Sequence, residues 1–350
     1  MSDRWDPAGF KDRIDALLDD FLTGEAEQLL AIDDALQPVA EQLQVAARHG
    51  KRLRAAFCYW GWRAAGQPDS DALMRAAASM ELVHAAAIVH DDIIDDSPLR
   101  HHLPTVHVSL QAALTGRPQA RAAARSLAML VGDHLMALAG QLFAASGLPG
   151  AYLARARPMW AELARELIAG ECLEILSTGA HPDPDVSLKV VRYKTAKYTV
   201  EQPLLIGALL AGASPELRAA LSAYGLPLGE AFQLRDDLLG LFGEPERTGK
   251  ASLDDIRGHR PTALLAMTWQ AALPAQRERL AGVLGRRDLD EKHLRDVREL
   301  MVAVKAPEQV ENMIASRVRE AVGRLGGLDT SQQARRALTA LAHSATDRRN

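Results

Sequence analysis

Four carboxylates crowd the end of one apolar stretch in this 350-residue sequence, where His90-Asp91-Asp92-Ile93-Ile94-Asp95-Asp96 follows an almost uninterrupted hydrophobic run. On a helix, Asp91 and Asp95 lie one turn apart on a single face, with Asp92 beside them. The C-terminal end of a helix carries the negative pole of the macrodipole, so acidic groups there are disfavoured unless cations compensate them. Oxygen donors select a hard ion, and Mg²⁺ takes one or two carboxylates while keeping positions for water and phosphate. Read in isolation, the pattern is equally that of a solvated acidic helix end.

A second acidic pair changes that balance. Asp236-Asp237 closes another long apolar stretch that contains Gly229-Glu230-Ala231-Phe232-Gln233, and a polar segment with Gly249-Lys250 and Asp254-Asp255 follows. Two acidic helix ends, each followed by a loop with basic residues, read as two walls of one metal–diphosphate site. Further basic groups stand at Gly50-Lys51-Arg52-Leu53-Arg54, Arg100 and Lys194-Thr195-Ala196-Lys197. Guanidinium and ammonium groups make charge-assisted hydrogen bonds to phosphate. Singly, each is also an ordinary surface side chain.

The elements that carry these residues read as helices. Met74–Asp96 is apolar nearly all round, which predicts a buried central helix. Similar stretches run through Ala120–Ala145, Ala151–Leu176, Tyr198–Ala213 and Ala219–Phe242, with Pro203 expected to kink the third of these. Residues 8–47 and 260–345 look amphipathic, and no segment alternates like a strand. With 48% hydrophobic and only 5% aromatic residues, alanine and leucine must fill the core. The expected fold is all-α, one large helical domain over residues 1–350.

Composition also excludes several classes. Forty-one basic against 45 acidic residues give a net charge of −4, which advertises no nucleic-acid surface. Cys58 and Cys172 stand far apart without metal-ligand spacing, which excludes a thiolate zinc site or disulfide framework and suits a reducing compartment. The longest near-continuous apolar run, Leu204–Ala213, is about half the length that spans a bilayer. The acidic start lacks an apolar signal core. A cytoplasmic protein without a membrane anchor is expected.

In this order, the residues resemble the trans-isoprenyl diphosphate synthases (polyprenyl synthetases), and among them the geranylgeranyl diphosphate synthase-like members. The resemblance runs from Gly50 to Thr262. It is carried by Gly50–Arg54, Glu81–Asp95 with Ser97 and Arg100, Pro104-Thr105, Lys194–Ala196, Gly229–Asp237, and Gly249-Lys250 with Asp254-Asp255. It implies helices around a deep central cavity, a homodimer, and condensation of isopentenyl diphosphate with a dimethylallyl, geranyl or farnesyl diphosphate. By the same resemblance Asp91, Asp92, Asp95, Asp236 and Asp237 would hold three Mg²⁺ ions. Arg100, Lys194 and Lys250 would contact the allylic diphosphate. Lys51, Arg52, Arg54 and His101 would serve isopentenyl diphosphate, with His84 and Gln233 flanking the pocket and Phe232 lining it. Arg260 stands where a lysine is frequent, and Thr195 would face the developing allylic cation.

The chemistry agrees with that assignment. Loss of diphosphate from an allylic carbon leaves negative charge on oxygen, for cations to stabilise, and positive charge on carbon, for an apolar cavity to shield. No nucleophilic side chain is required, and no triad is evident. The sequence departs from the family pattern at His101 and His102, where arginine and then glycine are usual. It departs again at Gly240, where a third carboxylate is usual, and at Glu171 and Glu174, where glutamine and aspartate are usual. An imidazole at 101 carries only a partial charge near neutral pH, so a weaker hold on isopentenyl diphosphate is expected.

Product length follows from the residues before Asp91. Ala87, Ala86 and Val83 offer no aromatic plug, and Met80 is the first large side chain, about 16 Å back along the helix. That distance predicts a product of about twenty carbons, geranylgeranyl diphosphate, with a longer one as second choice. Three other readings fit some of the same residues: a carboxylate-bundle metal site built on Glu81-Leu82-Val83-His84, a class I terpene cyclase, and a weakly catalytic regulatory subunit of a prenyl synthase heteromer.

Overall fold

The computed structural model describes residues 5–243 and 254–346. Among them the regular elements are helices, apart from one hairpin of two-residue strands. Helix α1 (Pro7–Ile32) buries Phe10, Ile14, Leu18, Leu22 and Ala26, a four-residue spacing that sets one apolar stripe against the core. Helices α2 (Gln37–Ala47) and α3 (Leu53–Ala64) lead to α4 (Asp71–Ile94), the buried central helix the sequence predicts. Ser70 starts α4 by accepting the Leu73 N–H, and Asp95 closes it at the C-cap.

The hairpin β1 (Leu99–Arg100) and β2 (Leu103–Pro104) follows, then α5 (Val106–Ala113), α6 (Ala120–Ala144) and α7 (Gly150–Ser177). Thr105 ties the ends of the hairpin segment by donating its hydroxyl to the Ser97 carbonyl at 2.8 Å. After α8 (Pro184–Val190) the chain winds as a π-helix over Val191–Glu201 before α9 (Gln202–Leu210) and α10 (Pro215–Phe242). Pro203, expected to kink a helix, instead sits in the first turn of α9, where its missing N–H costs nothing. The six remaining helices are α11 (Asp254–Arg257), α12 (Ala263–Ala271), α13 (Pro274–Ala281), α14 (Glu291–Ala303), α15 (Ala306–Leu325) and α16 (Gln332–Thr346).

Two apolar clusters form the interior, and α10 belongs to both. Leu221, Tyr224, Leu228 and Phe232 join the larger one, while Ala231, Leu234, Leu238 and Leu241 join a second with α12, α14 and α15. The π-helical segment is clasped between α7 and α10 by glycine. A β-carbon on Gly170 would lie 2.2 Å from the Lys194 nitrogen, and one on Gly229 would lie 2.4 Å from the Ala196 carbonyl oxygen. Those two contacts fix the backbone that carries Lys194 and Thr195.

Helices α4 and α6 are long and apolar enough to cross a membrane by length and composition. Their most apolar windows are 72% and 44% buried inside the protein. For α4 the apolarity is that of a core helix.

Candidate active site

The acidic end of α4 is met by cations from three other elements. Arg100, on the hairpin, donates to Asp92 Oδ1 at 2.5 Å and to Asp91 Oδ2 at 3.2 Å. Lys194, on the π-helical segment, donates to Asp91 Oδ1 at 2.9 Å. Arg260, just before α12, lies 2.6 Å from Asp95 Oδ2 and 3.4 Å from Asp255. Compensation demanded by the helix dipole is thus built into the chain. Asp95 is nevertheless pushed up to about 7, first by burial and then by the Asp91 charge beside it. Burial opposes the Lys194 charge, but Asp91, Glu174 and Glu171 outweigh it and hold the ammonium above the ordinary lysine range.

Glu171 and Glu174 were not among the expected site residues; in the sequence they stood out only as departures from a family pattern. One turn apart on α7, both face Lys194. Glu171 lies 3.0 Å from the ammonium, and Glu174 accepts a hydrogen bond from it. Oxygen atoms of Asp91, Glu171 and Glu174 lie within 4.8 Å of one another. Such a set of hard, partly buried carboxylate oxygens suits Mg²⁺.

The second acidic pair divides its roles. Both oxygens of Asp237 are engaged: Oδ1 accepts from Gln233 Nε2 at 2.8 Å and Oδ2 from the Ala263 N–H at 3.0 Å. Burial pushes this carboxyl up to about 7. Asp237 therefore joins α10 to the start of α12, and Gln233 donates its amide to it. Asp236 is half-buried and Phe232 is buried. Lys250 and Gly249 lie outside the described residues.

The basic segment before α3 also differs from expectation. Lys51 is exposed. Arg52 is buried, and all three of its nitrogens serve the protein. Nε donates to Asp15 at 2.6 Å, and the terminal nitrogens donate to the Ala47, Arg48 and His49 carbonyls that close α2. Arg54 is buried too, donating to Tyr198 Oη at 2.7 Å and Thr199 Oγ1 at 2.9 Å, with its guanidinium over the Tyr198 ring. Tyr198 in turn lies 3.3 Å from His84 Nδ1. Arg52 thus ties the loop to the end of α2, and one terminal nitrogen of Arg54 ties α3 to the π-helical segment. Thr195 is buried within the same π-helical segment.

Comparison with known proteins agrees with this arrangement. A sequence description of the polyprenyl synthetase family matches residues 36–301. This chain belongs to the polyprenyl synthetase family. It is 30% identical to a short chain isoprenyl diphosphate synthase of Methanothermobacter thermautotrophicus over 85% of this chain and 86% of that protein. It is 37% identical to a (2E,6E)-farnesyl diphosphate synthase of Mycobacterium tuberculosis over 64% of this chain, and that match spans 57% of the relative's length. Its fold superposes with a TM-score of 0.93 on a geranylgeranyl pyrophosphate synthase from Corynebacterium glutamicum complexed with isoprenyl diphosphate and magnesium. The two are 34% identical, with 99% of this chain and all of that one covered.

Within this family member, the residues before Asp91 separate by face. At about 100° per residue, Ala87, His84 and Met80 fall within about 40° of Asp91, whereas Val83 and Ala86 share the side of His90. His90 packs on α6, 3.3 Å from the Met129 carbonyl and from Asp133, where only glycine fits at 132. Val83 and Ala86 are therefore wedged between α4 and α6, while Ala87 is partly exposed beside the acidic cluster. The carboxylate-bundle alternative also loses its ligand, because Glu81 Oε1 accepts the Ala55 N–H at the start of α3, at 2.8 Å.

Proposed function

We propose that this chain is a trans-prenyltransferase that joins isopentenyl diphosphate to an allylic diphosphate and makes geranylgeranyl diphosphate. One observation carries the reading: Asp91, Asp92 and Asp95 face Arg100, Lys194 and Arg260 from three separate elements, with Glu171 and Glu174 bringing two more carboxylates beside Asp91. Asp91, Asp92, Asp95, Asp236 and Asp237, with Glu171 and Glu174 beside Asp91, are the groups that would hold Mg²⁺, three ions in a complete site. Bound there, the metal supplies Lewis-acid charge to the departing diphosphate. Arg100, Lys194 and Arg260 add positive charge around the same oxygens, and Thr195 borders the carbon that loses them. Buried Tyr198 and Phe232 exclude water from the apolar interior next to these groups.

A twenty-carbon product is supported by Ala87, small and partly exposed on the Asp91 face beside the acidic cluster. Relatives named for farnesyl and octaprenyl products show that the family spans several lengths, so this one is a reading of the α4 face. A homodimer is supported by the apolar side chains that α6 and α7 leave exposed, among them Met129, Leu130, Ile168 and Leu176. A cytoplasmic enzyme is the corresponding reading of location.

The test is incubation of the purified chain with isopentenyl diphosphate and each of dimethylallyl, geranyl and farnesyl diphosphate, followed by chromatography. Elongated diphosphates from the chain alone support the proposal. Cyclised hydrocarbon from an allylic substrate alone identifies a terpene cyclase, and turnover only with a second subunit identifies a regulatory partner.

A further inference from the structure

His101 and His102 form the two-residue turn of the hairpin, since Arg100 pairs with Leu103 and Leu99 with Pro104. Both have positive φ, 52° and 64°, as a type I′ turn requires. Asparagine and glycine adopt that conformation readily, and histidine adopts it at a cost. The turn is held on one side by Arg100, which is clamped on Asp91 and Asp92. Its position is therefore tied to the acidic end of α4.

Facing it, the loop after α2 is fixed as firmly. Gly50 and Arg52 both have positive φ, and the buried Arg52 guanidinium gathers the carbonyls of Ala47, Arg48 and His49. His49 is presented outward from this loop, with its ring centroid 6.0 Å from that of His101. Both imidazoles line the mouth of a pocket whose wall also includes Arg52, His84, Arg100 and Val89. The carboxylates on that wall are already engaged, Glu81 by the Ala55 N–H and Asp92 by Arg100. Arg52, which the basic motif would assign to this pocket, is committed to the loop.

Resting on the function proposed above, we infer that His49 and His101 act as a pair that grips the diphosphate of isopentenyl diphosphate. His49 is a substrate-binding residue that neither motif nor resemblance indicated. An imidazole donates at least one N–H whichever protonation state it holds, so two rings 6.0 Å apart offer a phosphate oxygen two convergent donors. Together they do what a single forked guanidinium would do from one side. The strained turn at 101 and 102 and the arginine-held loop at 49 are the devices that keep the rings convergent.

The test compares His49→Ala, His101→Ala and the double variant with the unaltered chain. Binding of isopentenyl diphosphate is measured by calorimetry, and KM is measured for both substrates. Both side chains are exposed, so circular dichroism should show intact folding. Loss of one charge-assisted contact is expected to weaken isopentenyl diphosphate binding about tenfold in each single variant. KM for the allylic diphosphate should stay within about twofold, since its binding groups are untouched. Unchanged isopentenyl diphosphate affinity in His49→Ala overturns the pairing. So does an equal loss for both substrates, which would make the loop a general structural element. Failure of the unaltered chain to elongate any starter is a separate result, and it refutes the prenyltransferase reading itself.

Discussion

Lys194 Nζ lies 2.9 Å from Asp91 Oδ1, joining the π-helical segment to the acidic end of the central helix. The same ammonium lies 3.0 Å from Glu171 and bonds Glu174, so one lysine serves three carboxylates on two elements. Removing it leaves those carboxylates to repel one another. Lys194→Ala should lower Tm in chelator by an amount corresponding to about 3 kcal/mol, the order expected when one partner of a buried ion pair is deleted. A divalent cation can substitute for the missing charge, so added Mg²⁺ should recover part of the loss. Calorimetric scans with and without Mg²⁺ check this; the same loss in both would show that lysine and metal do not share these oxygens.

Metal dependence is the companion expectation. Asp92 is buried and accepts from Arg100, so Asp92→Asn keeps an acceptor for the arginine while removing the carboxylate charge available to a metal. Turnover should fall by about a hundredfold or more, with little change in Tm. Full activity of the unaltered chain in excess chelator would be incompatible with the proposed chemistry.

His84 supplies a pH signature of folding. Burial, then the charges of Arg54, Arg100 and Arg52, holds its pKa well below the ordinary histidine value of 6.5. Above pH 6.5 folded and unfolded chains both carry it neutral, and it adds no pH dependence. Below 6.5 the unfolded chain binds a proton that the folded chain refuses, so stability falls as pH drops toward the folded pKa. His84→Gln should flatten urea-derived stability between pH 5 and 6.5 relative to the unaltered chain. An unchanged slope would place the acid sensitivity elsewhere.

At the hairpin turn, His102 occupies the second central position with φ of 64°, where glycine is preferred. His102→Gly removes a left-handed strain of about 1–2 kcal/mol and adds unfolded-state freedom of about 0.4–1 kcal/mol. A net gain of roughly 0.5 kcal/mol should appear as a raised denaturation midpoint.

Residue type and spacing showed most of the helices and the first acidic cluster directly, because a nearly all-apolar run ending in carboxylates has few alternatives. Its cations were legible only as candidates. Arg100 lies nine residues from Asp91, but Lys194 and Arg260 reach it through tertiary packing that no local pattern encodes. Arg52 is the opposite case. A basic cluster beside an acidic one suggests substrate, whereas the left-handed backbone at Arg52 turns its guanidinium back onto α2. The π-helix was hidden because its i→i+5 bonding leaves no distinct sequence period, and Pro203 at the next helix start masqueraded as a kink.

The α4 face gives the last expectation. Ala87 is one turn before Asp91 on the same face, partly exposed, and not wedged against α6 as Ala86 is. An aromatic ring at 87 would stand within a turn of the diphosphate-binding end, about 6 Å back along the axis, where a growing chain must pass. Ala87→Phe should therefore shorten the product toward farnesyl diphosphate while leaving Tm nearly unchanged. Ala86→Phe places the same ring in a fully buried contact, and overpacking there should cost about 1–3 kcal/mol of stability. The pair separates obstruction from overpacking: product chromatography reads the first and thermal denaturation the second. An active Ala87→Phe variant that still makes the original length would show that the cavity floor is built on another element.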